Sequence, residues 1–511
     1  NTAGGDINIT ATGASAGGSS GINQSGTITL TSGSDITFTS NNVINQTGAI
    51  NLAANVSGST AVVTYDTTSG NRLSTITGGT LTIAASTSTS AINYVMKSSG
   101  SALDPGAVGT SSIRLPGTIT IDNTFGGSPV ATNYLTTSSI TSSNTTTSIG
   151  VTIDNALYAT GNISLKGISY GQMGINYSTI INSSAGDVTL TGITSNYYGV
   201  YTAYSYAVTA NNITISGSSS STVTGWLVYI NALTINSGST GGDILVTATG
   251  PTAGGASGIS QAGAISGANG SDISFISNNK ISQSGAITLA ANTAATSSVT
   301  YDTTSGSKLS TISTGSLTLT SGSNQDVNYL VKASGGAVTI GGAIGVNGTI
   351  TLDNTYGCAT SGCTPASGYI TTSNYATLAT TDHAIQTTSG TLTAVKDITI
   401  KGISYGNYGW YSNQVTSTST GDVTVTGISY ANRGISQTGA ITATLGDVVL
   451  TGQTTTQYGV YATGLITANS ITVSGTGTGT IAGWITELGA MTINTAGGDI
   501  NITATGASAG G

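Results

Sequence analysis

GDVTVTGISYANRGISQTGAITATLGDVVLTG, residues 421–452, decides the fold. It holds two copies of one motif, GDVTVTG from Gly421 and GDVVLTG from Gly446, with ISQTGAI from Ile435 between them. Apolar residues fall on alternate positions of the first motif and Thr on the others, the period of a strand with one buried face. Glycines separate these stretches, as turn residues do. The step from Gly421 to Gly446 is too short for a domain and reads as a repeated coil of chain.

The same grammar extends in both directions. INQSGTI begins at Ile22 and INQTGAI at Ile44, while ISQAGAI begins at Ile259 and ISQSGAI at Ile281, both pairs at one step. Alternating stretches recur between them, as TITLTS at Thr27, DITFTS at Asp35, TITID at Thr118, DVTLTG at Asp187 and ITVSG at Ile471. No long 3.6-residue periodicity with caps is visible, so helices should be rare.

Larger repeats enclose the small ones. VTYDTTSGNRLSTI at Val63 returns as VTYDTTSGSKLSTI at Val299, and LKGISYG at Leu165 returns as IKGISYG at Ile400. Both halves close on a Gly-Trp pair, Gly225–Trp226 and Gly483–Trp484. Residues 1–237 form half A and residues 238–493 half B, with one extra rung near 421–446. NTAGGDINITATGASAGG at 1–18 then recurs letter for letter at 494–511, so 494–511 reads as the start of the next copy of a 493-residue period. Matching ends are expected of a window onto a tandem array; separate subunits joined end to end are the other reading.

Composition agrees with a folded repeat protein. Only 5% of the 511 residues are charged and 37% are hydrophobic, which sets the chain apart from disordered sequences. A net charge of −8 with no basic run makes nucleic acid a poor partner. No apolar run reaches the length of a membrane span.

These features predict an all-β chain, a parallel β-helix or β-solenoid with rungs of about 22–25 residues, forming an elongated rod. A rung cannot bury its inward Ile, Val and Leu alone, so neighbouring rungs must cover them. One period should hold roughly 22 rungs and rise on the order of 100 Å at strand spacing. A chain of β-sandwich domains is the rival, but its hairpin turn signals are scarce.

The concatenation Gly48-Ala-Ile-Asn-Leu-Ala-Ala54 and Gly285-Ala-Ile-Thr-Leu-Ala-Ala291 resembles the filamentous-haemagglutinin-like large exoproteins, bacterial autotransporter-type or two-partner-secreted adhesins. The resemblance covers nearly all the chain in style. It implies a right-handed parallel β-helix, an extracellular or bacterial cell-surface location, and an adhesive or filament-forming role. Partners would be further copies of the repeat, by covalent tandem, end-to-end joining or lateral bundling, together with glycans or surfaces.

Among the side chains, Asp recurs as G-D-[IV] at Asp6, Asp187, Asp243, Asp422, Asp447 and Asp499. The calcium-binding nonapeptide repeat is absent, so these read as corner residues bonding backbone N–H groups rather than as metal ligands. Asn23, Gln24, Asn45, Gln46, Gln261, Gln283 and Gln437 sit at repeated positions and predict amide ladders. Tyr is the conspicuous residue, with 23 copies. Ile175, Val200, Trp410, Ile435 and Val460 each follow a Gly and should point inward. Tyr198, Tyr201, Tyr408, Tyr411, Tyr458 and Tyr461 flank them as candidate surface-contact aromatics, suited to stacking on sugars or on a neighbouring fibre.

Cys358 and Cys363, in GCATSGCTP where half A has GGSPVA, predict a local disulfide and an oxidising compartment. With His383 twenty residues away they make a poor metal site, and no cofactor is expected. Catalysis is not expected either, because the only Glu is Glu487 and the basic residues repeat between halves, as Arg72 with Lys308 and Lys166 with Lys401. The reading is therefore a structural segment of a giant extracellular tandem-repeat fibre, a filament or adhesin stalk for surface attachment or cohesion. Its alternative is a carbohydrate-binding passenger with Tyr-rich faces; ice binding by Thr-x-Thr arrays and polysaccharide cleavage rank below both.

Overall fold

The computed structural model describes residues 4–507 except 54–59, 84–90, 107–111, 127–134, 203, 224, 237–240, 292, 294, 321, 323–324, 360–362 and 482. The chain divides into two compact units, Asn1–Pro251 and Thr252–Gly511. Each is an all-β parallel β-solenoid of nine coils, and the described residues contain one four-residue helix, Tyr375–Leu378.

Every full coil runs through three strands. A long strand of up to seven residues is followed by two short ones, as in Ile163–Ser169, Ile175–Tyr177 and Ile181–Ser183. The next coil repeats the order with Val188–Thr194, Val200–Tyr201 and Val208–Ala210. Each of these strands pairs in parallel with its equivalent in the following coil, so the other two faces of the coil serve as the crossover that parallel pairing requires.

This register stacks like on like. Ile163, Val188 and Ile213 align, as do Leu165, Leu190 and Ile215, and all six are fully buried. In the second unit Ile398, Val423, Val448 and Ile471 make the corresponding column. Aromatic stacks thread both cores at matching places. Phe38 lies 5.1 Å from Tyr65 in the first unit, and Phe275 lies 5.2 Å from Tyr301 in the second.

Polar ladders run beside the apolar ones. Asn45 donates to Asn23 at 3.1 Å and Gln283 to Gln261 at 3.2 Å, across one coil in each case. The corner aspartates also work between coils rather than within their own turn. Asp397 accepts the N–H of Asp422 at 2.9 Å, Asp422 that of Asp447 at 2.8 Å, and Asp447 that of Ser470 at 2.9 Å. The recurrent lysines have a similar explanation. Asp66, Lys97, Asp122 and Lys166 alternate along the outer face of the long-strand sheet in one unit, and Asp302, Lys332, Asp353 and Lys401 do so in the other. Opposite charges therefore sit side by side on neighbouring strands, as at Lys97 and Asp66, 3.6 Å apart.

Coil number departs from expectation. Eight long strands precede residue 238 and nine lie between 238 and 493, so the period holds seventeen described coils rather than roughly 22. The step expected from sequence holds only where coils are compact. Between Asp122 and Val151, and between Asp353 and Ile385, long loops leave the solenoid at one corner. They cover apolar residues outside the core: Leu135 and Ile140 pack on Ile168 and Ile193, and Ile370 and Ala379 pack on Ile403. Cys358 and Cys363 are disulfide-bonded within the second loop, whereas residues 127–131 of its counterpart GGSPVA lie outside the described residues.

Candidate ligand-contact surface

The first short strand of each coil positions the tyrosines. In the second unit Ile385, Trp410, Ile435, Val460 and Thr486 stand in register, and the first four are fully buried. Trp410 fills the inward slot that Ile and Val occupy in its neighbours. Strand geometry then turns the next residue of each coil outward, giving the column Gln386, Tyr411, Ser436, Tyr461 and Glu487. Two residues before the inward position lies a second outward column of His383, Tyr408, Arg433, Tyr458 and Trp484.

A glycine makes this corner tight. A Cβ on Gly427 would run into the carbonyl oxygen of Gly434, and one on Gly402 or Gly452 would meet Gly409 or Gly459 in the same way. The paired glycines let the end of the long strand lie against the start of the short one. The parallel register of one coil on the next brings the outward side chains of successive coils into contact.

The two columns interlock. His383 stacks on Tyr408 at 4.9 Å and on Tyr411 at 5.0 Å, and Tyr408 and Tyr411 are 5.2 Å apart. Arg433 bends over the small Ser436, donating to its hydroxyl at 3.2 Å, and its guanidinium carbon lies 3.8 Å from the centre of the Tyr461 ring. Tyr458 and Tyr461 meet edge to face at 5.3 Å. Burial pushes the His383 pKa below its usual 6.5, opposed by the charge of Asp382. The Tyr458 hydroxyl is pushed up, first by the neighbouring Glu487 carboxylate. Trp484 is 72% exposed.

The first unit carries an uncharged version. Tyr198 and Tyr201 are 4.6 Å apart, Tyr201 and Tyr229 are 5.5 Å apart, and Trp226 stands two residues before the inward Val228. All six candidate tyrosines are thus half-buried and outward, three pairs on equivalent strands, the two rings of each pair tilted or edge to face within one coil. Tyr229 belongs to this surface in the first unit, and His383, Arg433, Trp484 and Glu487 lie on the equivalent columns of the second, but they were not grouped with the tyrosines from sequence. The signal was present: His383, Tyr408, Arg433 and Tyr458 follow one another at a constant spacing.

Elsewhere in the second unit a cleft of about 620 Å³ opens between Thr304–Leu309 and the disulfide loop, with Lys308 the one charged residue lining it among the described residues. Among the described residues, no group of three or more His, Cys, Asp or Glu is placed to hold a metal ion, and no helix is long and apolar enough to cross a membrane. No family model, curated protein or solved structure matches this chain.

Proposed function

We propose that the chain is one period of an extracellular tandem-repeat fibre, serving without catalysis as a filament or adhesin stalk in the manner of filamentous-haemagglutinin-like exoproteins. One observation carries this reading: the behaviour of the repeated 18-residue sequence. In the first unit its strand Ile7–Ala11 pairs with the coil that follows, at Ile36–Ser40. In the second unit the copy Ile500–Thr505 pairs with the coil that precedes, at Ile471–Gly477. One sequence therefore accepts a neighbour on either edge, which is what continuation of the array requires.

The Cys358–Cys363 bond supports an oxidising, exported setting. Electron microscopy of the native material tests the proposal. Filaments should show an axial spacing near 4.8 Å and a longer repeat of about 80 Å, seventeen coils at that spacing. Discrete particles with neither spacing would overturn it.

A further inference from the structure

Where the long strand runs into its corner, the second unit carries an aromatic pair that the first unit lacks. Ser404 and Ser429 pair on neighbouring long strands, and the residues that follow them are Tyr405 and Tyr430. Their rings lie face to face, 4.9 Å apart and within 14° of parallel. Among the described residues the other close tyrosine pairs are tilted or edge to face. Tyr430 is 43% exposed and Tyr405 is half-buried. Tyr375, packed on the cluster of Ile370, Ala379 and Ile403, meets both rings edge on at 5.8 and 6.1 Å. The pair lies within the array, with a paired coil on either side of it. In the first unit the equivalent residues are Tyr170 and Ser195, after the paired Ser169 and Thr194, so coils stack at this corner without a second ring.

We propose that Tyr405 and Tyr430 are a site of oxidative cross-linking, joined as dityrosine by a haem peroxidase and hydrogen peroxide into a covalent bond between successive coils. Each phenol gives up one electron and one proton and becomes a phenoxyl radical. The two radicals couple through ring carbons beside their hydroxyls. The hydrogen on each of those carbons then moves to the phenolic oxygen, which restores both phenols. In sum two hydrogen atoms leave the pair, and the O–O bond of one peroxide breaks to give two molecules of water. Stacking favours this coupling because the two reacting rings are already in contact and need no diffusive encounter. Partial exposure opens both rings to an oxidant that stays outside the solenoid. Tyr65 and Tyr94, like Tyr301 and Tyr329, are also close neighbours but are sealed in the core. The new bond closes one coil of chain and restricts the unfolded state, as a disulfide does.

This inference goes beyond the fibre reading and does not depend on it; a chain that forms no filament can still be cross-linked, and the reverse. The test treats the dilute whole chain with a haem peroxidase and hydrogen peroxide, then denatures it and digests it with trypsin. Residues 402–433 are released as one peptide, between the cleavage sites at Lys401 and Arg433. That peptide should be lighter by two hydrogens and should resist fragmentation between Tyr405 and Tyr430. The treated chain should also unfold at a higher urea concentration than the untreated one. Y405F and Y430F keep both rings, and with them the stack, but each should cut the linked peptide ten-fold or more and remove the urea shift. Y411F, on the same peptide, should leave the link in place. A 402–433 peptide that stays unlinked, a link that maps to another pair within it instead, or undiminished linkage in Y405F or Y430F would overturn the proposal.

Discussion

Tyr177 and Tyr301 are both fully buried, yet their hydroxyls meet different fates. Tyr301 donates to Gln283 at 2.8 Å, whereas the Tyr177 hydroxyl has no hydrogen-bond partner, and burial pushes its pKa well up. An unsatisfied buried hydroxyl costs about 1–3 kcal/mol, while a satisfied one contributes about 1 kcal/mol. Y177F should therefore raise the stability of the chain and Y301F lower it by about 1 kcal/mol, read as opposite shifts in urea midpoint. His383 gives a second test at this scale. Its lowered pKa means the folded chain holds the neutral ring while the unfolded chain takes up a proton more readily. Stability from this residue is thus complete above the unfolded value near 6.5 and is lost as pH falls toward the folded one. The imidazole C–H resonances of this one His should titrate below 6.5 when folded and near it in urea. H383Q should remove that part of the pH dependence.

At the scale of the coil, in-register stacking makes one coil interchangeable with the next. Removing residues 435–459 joins Gly434 to Val460, which reproduces the Gly434–Ile435 junction and keeps every column in register. The deleted chain should fold, with strand-type circular dichroism and one cooperative melt, whereas removal of residues 435–446 should abolish it. Alternation, Gly spacing and the short regular steps were enough to read the parallel solenoid, the inward Trp410 and the amide ladders from sequence. Those signals are local and recur. The loops after Asp122 and Asp353 were not legible, because their Leu135, Ile140, Ile370 and Ala379 pack on the outward face of the coils that follow and obey no period. The candidate site was half legible. Tyrosine clusters announced themselves by composition, but Arg433 enters only because Ser436 leaves room above it, a vacancy visible once coils are stacked.

At the scale of the molecule, nearly every strand finds its partner one coil away in sequence. Ile163 pairs with Val188, Val188 with Ile213, and Val423 with Val448, each at the same short step. Sheet proteins usually fold slowly because their pairings close long loops. Here the chain to be closed is a single coil, longer only where the loops after Asp122 and Asp353 intervene, and a completed coil needs nothing from chain that lies far downstream. Each coil presents a finished template to the next stretch of chain that arrives. Such a chain can fold in the order in which it is delivered, and the strand just added can hold what has already emerged. A protein passed through a narrow opening in an extended state could use that sequence of captures to keep its movement in one direction.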